Sequence, residues 1–170
     1  MNNWMLSKVR YTKQLDNGAF KRVTEQYLFA AMSFTDTEIR IYEELGSLIR
    51  GEFTVVSITR AEFHDIFHYE DADVWYKCTI TFNGSEEGER AKKTKQTFLV
   101  TASSVREAND RLKESLEGMM IDYTIESVSV TPIVDIYPYK EELDKAVKFE
   151  DSEPGHYVGE GFDFKVSLPN

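Results

Sequence analysis

Two of the three histidines in this chain lie four residues apart in "EFHDIFHYEDAD", where His64 and His68 are flanked by Asp65, Glu70, Asp71 and Asp73. On a helix that spacing would let both imidazoles reach one metal ion. The surrounding pattern reads instead as a strand, where residues four apart share a face but lie about 13 Å from one another, too far to ligate one ion. No metal site and no cofactor are expected. Asp65 has a counterpart in Asp135, and two carboxylates facing each other across a symmetry axis could split their pKa values for acid–base work. The ordinary role for such residues is to end strands or cap turns. The single cysteine, Cys78, falls in an apolar strand pattern and is expected to be a buried, inert thiol. "GEG" at 159–161 lacks the strand-to-helix setting of a phosphate loop. No catalytic residue is assigned.

Charge is more informative. The net charge of −10 opposes general attraction to nucleic acid or anionic membrane. Yet residues 1–31 carry a net +3 from Lys8, Arg10, Lys13, Lys21 and Arg22 against Asp16 and Glu25. Residues 74–102 carry +2, from Lys77, Arg90, Lys92, Lys93 and Lys95 against Glu86, Glu87 and Glu89. Lys8, Arg10, Lys21, Arg22, Lys92, Lys93 and Lys95, interleaved with aromatics such as Trp4, Tyr11, Phe20, Trp75, Tyr76 and Phe82, would suit a single-stranded nucleic acid surface. The plainer account is edge lysines that block sheet aggregation, with the aromatics in the core.

The elements that must position these residues are written twice. A shift of 71 aligns Trp4 with Trp75, Lys21 with Lys92, Leu28 with Leu99, Arg40 with Arg111 and Leu45 with Leu116. Beyond the helix the shift becomes 70, pairing Thr54 with Thr124 and Asp65 with Asp135. Such self-similarity marks a structural repeat. Within each copy, alternating β-formers and the turn signal "LDNG" predict a hairpin. Ser33/Asp36 and Ser104/Glu107 have capping-box spacing and predict helices near 35–50 and 104–120. Phe34, Ile41, Leu45 and Leu48, with their counterparts Val105, Leu112, Leu116 and Met119, are expected to form the buried stripes. A single third strand, Phe53–Phe67 or Tyr123–Tyr137, would close each unit.

The expected fold is therefore α+β: antiparallel sheet from two tandem ββαβ repeats, about 4–67 and 75–137, with two covering helices that share a core. Residues 1–138 form this domain. Residues 139–170 form an acidic extension with a short helix near 141–149, a Pro/Gly linker and a terminal strand. That strand places Phe162, Phe164, Val166 and Leu168 at period 2, and it would pair within the chain or add to the sheet edge of a partner.

At "VTEQYLFAAMSFTDTEIRIYEEL", "GEFTVVSITRAEFHDIF" and "ADVWYKCTITF" the chain resembles an uncharacterised domain-of-unknown-function family of gut-associated bacteria and their phages, over residues 4–137. The resemblance implies no activity and no catalytic residues.

The chain is expected to be a non-enzymatic protein-interaction or assembly module, oligomeric, with a protein partner or a second copy of itself. Nucleic-acid binding through the basic hairpins is the alternative, and an enzyme with a site across the pseudo-twofold axis a distant one. No apolar run reaches spanning length, and "MNNWMLSKVRY" lacks the apolar core of a signal peptide, so a cytoplasmic location without membrane association is expected.

Overall fold

A computed structural model describes residues 3–83, 93–139, 155–158 and 165–166. In chain order the elements are β1 (Asn3–Gln14), β2 (Phe20–Ala31), α1 (Phe34–Leu45), β3 (Phe53–Ala61), β4 (Asp65–His68), β5 (Val74–Asn83), β6 (Lys93–Ala102), α2 (Val105–Ser115), β7 (Tyr123–Val130), β8 (Ile133–Tyr137), β9 (Gly155–Val158) and β10 (Lys165–Val166). The fold is α+β, with two mostly antiparallel sheets. The chain divides into two compact units, Met1–Glu62 with Pro132–Lys140, and Phe63–Thr131 with Glu141–Asn170.

In the first unit the sheet order is β3-β1-β2-β8. The β1–β2 hairpin turns at Leu15–Ala19, where Gly18 adopts φ 81°, a conformation glycine takes without steric cost. The core lies between α1 and one sheet face, where Val9, Tyr27, Phe29, Ile41, Leu45 and Ile49 pack together. In the second unit the order is β10-β9-β4-β6-β5-β7. Its core, between α2 and the sheet, gathers Phe67, Tyr76, Cys78, Ile80, Phe98, Val100, Leu112 and Leu116 among others.

Both helices begin where the capping signals place them. Ser33 Oγ accepts from Asp36 N–H at 3.0 Å while the Asp36 carboxylate accepts from Met32 N–H at 2.9 Å. Ser104 Oγ and the Glu107 carboxylate repeat the pattern at 3.1 and 2.6 Å, the latter from Ser103 N–H. Those bonds from Ser103 hold the Glu107 carboxyl below its ordinary pKa.

Two expectations need correction. The segments read as single third strands are each two strands that join different sheets. β3 lies beside β1, whereas β4 runs parallel to β6 in the other sheet. Likewise β7 lies beside β5, and β8 runs parallel to β2. Between β7 and β8 stands Pro132, which lacks the N–H needed to continue a ladder. Between β3 and β4, His64 N–H donates to Thr97 O at 2.7 Å, so the chain has already joined the second sheet. Each sheet thus receives its parallel strand from the other half of the sequence.

The second correction concerns the helix faces. Phe34 and Leu48 are 49% and 67% exposed, and Val105 and Met119 are also exposed. The buried rows are Thr37, Arg40, Ile41 and Leu45 in α1, and Ala108, Arg111 and Leu112 in α2. α1 ends at Gly46, so Leu48 falls out of helical phase and Ile49 takes the core position. Phe34 instead lies under the guanidinium of Arg60, 5.7 Å from ring centroid.

Leu45 and Leu116 remain core residues, and Glu43 and Glu114 face solvent. Leu45→Ala and Leu116→Ala should each cost about 2–5 kcal/mol. Glu43→Ala and Glu114→Ala should change stability by less than about 0.5 kcal/mol. Chemical denaturation of the four variants checks this, and equal losses in all four would contradict the assigned faces.

Candidate interaction surfaces

The most demanding side chains in both units are arginines that a sequence pattern would leave in water. Arg40 and Arg111 are 7% and 8% exposed. A guanidinium so placed must find acceptors for its donors, since an unpaired buried charge is strongly destabilising. Arg40 Nη1 donates to the Ala30 carbonyl and, at 3.3 Å, to that of Tyr137, while Nη2 donates to Pro138 O at 2.9 Å. The Tyr139 and Phe29 ring centroids lie 5.3 and 6.0 Å from the guanidinium carbon. In the second unit Arg111 Nη1 donates to Thr101 O at 2.8 Å. Its Nη2 reaches both Asp71 carboxylate oxygens at 2.8 and 2.7 Å and Glu107 Oε1 at 2.9 Å. The Tyr69 ring centroid lies 4.3 Å from it. Each arginine therefore ties its helix to the end of β2 or β6 and to the segment that follows the incoming parallel strand. Ala30 and Thr101, like Tyr139 and Tyr69, correspond under the sequence shifts.

A polar cluster is particular to the first unit. Glu25 points to the helix side of the sheet and accepts from Tyr11 Oη at 3.0 Å and Tyr27 Oη at 2.6 Å, with Lys13 Nζ at 3.7 Å. Burial, reinforced by the Glu25 bonds, pushes the Tyr11 hydroxyl up to about 12 and the Tyr27 hydroxyl higher still. The corresponding positions in the second unit are Phe82, Gln96 and Phe98, with no carboxylate among them.

Register distributes the basic residues expected to bind nucleic acid. Successive strand residues alternate faces, so Lys8 and Arg10 of β1 and Arg22 of β2 share the face turned away from α1. Lys21 pairs with Lys13 and has the opposite parity. Lys93 and Lys95 lie on the face of the second sheet turned away from α2. There Lys95 is paired with Glu126 at 3.0 Å, and Thr81 Oγ1 also donates to that carboxylate. Lys92 lies outside the described residues. Of the interleaved aromatics, Trp4, Trp75, Tyr76 and Phe82 are buried, Tyr11 is half-buried, and Phe20 is 73% exposed.

A register shift marks the same place in both sheets. Val56 is passed over between the pairs Lys8↔Ser57 and Val9↔Val55, and Glu126 between Thr79↔Ser127 and Ile80↔Ile125. A bulge adds one residue to one strand and re-aims its side chain. In one unit that residue is an exposed valine, in the other a carboxylate.

The remaining candidates are held in local packing. The His64 ring meets Phe98 edge-on at 5.2 Å, and His68 stacks on Trp75 at 5.5 Å. Asp135 lies opposite Tyr27 and accepts the Ile136 N–H at 2.8 Å, while Asp65 lies opposite Phe98 in the other unit. The Cys78 thiol is buried, and burial pushes its pKa up to about 12. Among the described residues no group of three or more His, Cys, Asp or Glu could hold a metal ion. No helix among them is long and apolar enough to cross a membrane.

The outer edge of β4 is occupied by β9, antiparallel, with Asp65↔Val158, Ile66↔Tyr157, Phe67↔His156 and His68↔Gly155. β10 continues the sheet, pairing Lys165 with His156 and Val166 with Gly155. Phe162, Phe164 and Leu168 lie outside the described residues, as does the short helix expected near 141–149.

The chain belongs to the family described as a domain of unknown function, DUF4494, whose model matches residues 3–139. That match takes in every element through β8. No curated protein and no solved structure matches the chain.

Sequence reasoning missed the two arginines, although both recur under the 71-residue shift on the apolar side of a helix. Removing Arg40 strips partners from three carbonyls, so Arg40→Ala should cost about 2–4 kcal/mol. The Asp71 side chain is 69% exposed, so Asp71→Ala should cost less than about 1 kcal/mol. Urea denaturation compares the two, and an Arg40→Ala loss no greater than that of Asp71→Ala would show that the arginine does not fasten the unit.

Proposed function

We propose that this chain is a non-enzymatic assembly module, a fused duplication of one ββαββ unit whose last strand joins the other sheet, that engages protein partners by adding strands to a sheet edge. The observation that carries the reading is the β4 edge, where a segment distant in sequence is laid down as β9 in antiparallel register. Strand addition of this kind draws affinity from main-chain hydrogen bonds and specificity from alternate side chains. The apolar stripe at Phe162, Phe164, Val166 and Leu168 is the sequence feature suited to that exchange, within the chain or with a second copy.

The duplication is supported by the aligned sequence identities, the paired capping boxes, the two bulges and the two buried arginines. The non-enzymatic reading is supported by how the polar groups are used. Arg40, Arg111 and Glu25 are spent on internal hydrogen bonds, and the Cys78 thiol is held protonated.

The test is complementation in trans. A chain ending at residue 152 would leave the β4 edge open, and a labelled synthetic peptide spanning 153–170 should bind it saturably and raise its melting temperature. A peptide with Tyr157→Pro should fail, because proline breaks the ladder where Tyr157 faces Ile66. Absence of binding by the wild-type peptide, with the shortened chain still folded by circular dichroism, would contradict strand addition at this edge.

A further inference from the structure

The two sheets resemble each other in strand order but not in the charge of the faces turned away from their helices. In the first unit, β1 and β3 contain no acidic residue. The only carboxylates in the sheet strands are Glu25 of β2 and Asp135 of β8. Glu25 has helix-side parity, because it pairs with the core residue Val9. Asp135 pairs with Tyr27 and so has the same parity. The opposite face therefore carries Lys8, Arg10 and Arg22 with no carboxylate from its own strands. Asp16 in the hairpin turn and Glu52 just before β3 are the nearest acids in sequence. All three cations are exposed. None of them forms an ion pair with a described residue, and Arg10 Nε donates only to Thr24 Oγ1, at 3.4 Å. In the second unit the bulge residue Glu126 puts a carboxylate among Thr81, Lys95 and Lys93, and these neighbours hold its carboxyl below the ordinary pKa. At the corresponding bulge the first unit has Val56.

We propose that the face of the first sheet bearing Lys8, Arg10 and Arg22 binds single-stranded nucleic acid, through its phosphates and one stacked base. Arg10 pairs with Thr24 and Arg22 with Thr12, so the two guanidinium side chains start from diagonal positions about 7–8 Å apart. Lys8 lies two residues from Arg10 on the same face, and the three form a cationic track. Phe20 is two residues from Arg22 on that face and 73% exposed. It offers a ring that any base can stack on, while the arginines contact phosphate or stack in turn. Thr12, Thr24 and Thr54 add exposed hydroxyl side chains between the cations. An acidic peptide would satisfy the cations but give Phe20 no stacking partner, so nucleic acid is the better fit. The site lies wholly within the first unit and does not depend on strand addition at β4.

The test uses the full chain and a fluorescein-labelled oligothymidylate longer than the roughly 4–16 nucleotides such a surface covers. Fluorescence anisotropy should show saturable binding at low salt. The affinity should fall as salt rises, with a log–log slope of about −0.7 for each phosphate contacted. The triple variant Lys8→Ala/Arg10→Ala/Arg22→Ala should lose at least about tenfold in affinity and flatten the salt slope. Phe20→Ala should weaken binding about fivefold or more and leave the slope unchanged. Lys93→Ala/Lys95→Ala should change affinity less than about twofold, because Lys95 is already paired with Glu126, which also lies near Lys93. Melting temperatures of the variants, all substituted at exposed positions, verify that each remains folded. The assignment is overturned by absence of binding at low salt, by a triple variant that binds like the wild type, or by competition from polyglutamate or polyphosphate as effective as that from the oligonucleotide.

Discussion

A buried guanidinium in each unit fixes how the rest of the chain can be arranged. Once Arg40 is enclosed between α1 and the sheet, its donors must meet carbonyls, and two of these belong to Tyr137 and Pro138. Tyr137 ends, and Pro138 follows, a strand that comes from the other half of the sequence. The first unit cannot satisfy its own arginine until β8 lies alongside β2. The same holds for Arg111, whose Asp71 partner and Tyr69 ring follow β4, a strand supplied by the first half. The buried charge thus couples helix position, strand exchange and the closing of each core. Hydrophobic packing follows the same path: Tyr137 stacks on Phe29 at 4.8 Å and Phe67 on Phe98 at 6.1 Å, so each exchanged strand brings an aromatic into the core it joins.

Much of this was legible in the residues. The hairpin at "LDNG", the helix starts at Ser33 and Ser104, and the core positions Ile41, Leu45, Leu112 and Leu116 follow from local rules that tertiary context did not override, whereas Leu48 lies past the helix end and is exposed. The exchange of β4 and β8 was not legible, because alternation across Phe53–Phe67 reads the same whether one strand continues or two strands enter different sheets. Pro132 marks the break in the second half, but nothing comparable marks it in the first. The buried arginines were hidden by composition, since an arginine on a helix is ordinarily solvated. Only their recurrence at 40 and 111, in step with Ile41 and Leu112, distinguishes them. Among the basic residues, strand parity was sufficient to separate Lys21 from Lys8, Arg10 and Arg22. The pairing of Glu126 with Lys95 depends on a bulge that the sequence does not announce.

The differences between the units carry the functional account. Where both have a bulge, one presents Val56 and the other Glu126. Where the second packs Phe82 and Phe98, the first places Tyr11 and Tyr27 on Glu25. Where the second has β9 on its parallel strand, its edge is extended by the C-terminal segment. The two units thus present different surfaces, a basic sheet face in one and a strand-bearing edge in the other, while each encloses an arginine between its helix and its sheet.

Strand exchange is most directly examined by dividing the chain between β4 and β5. A fragment of residues 1–72 lacks β8, and a fragment of residues 73–170 lacks β4. If each sheet depends on the strand from the other half, neither fragment should melt cooperatively as a monomer. An equimolar mixture should recover one cooperative transition at the mass of a one-to-one complex. A monomeric 1–72 fragment that melts cooperatively, with the circular dichroism expected of β1, β2, α1 and β3, would contradict the account.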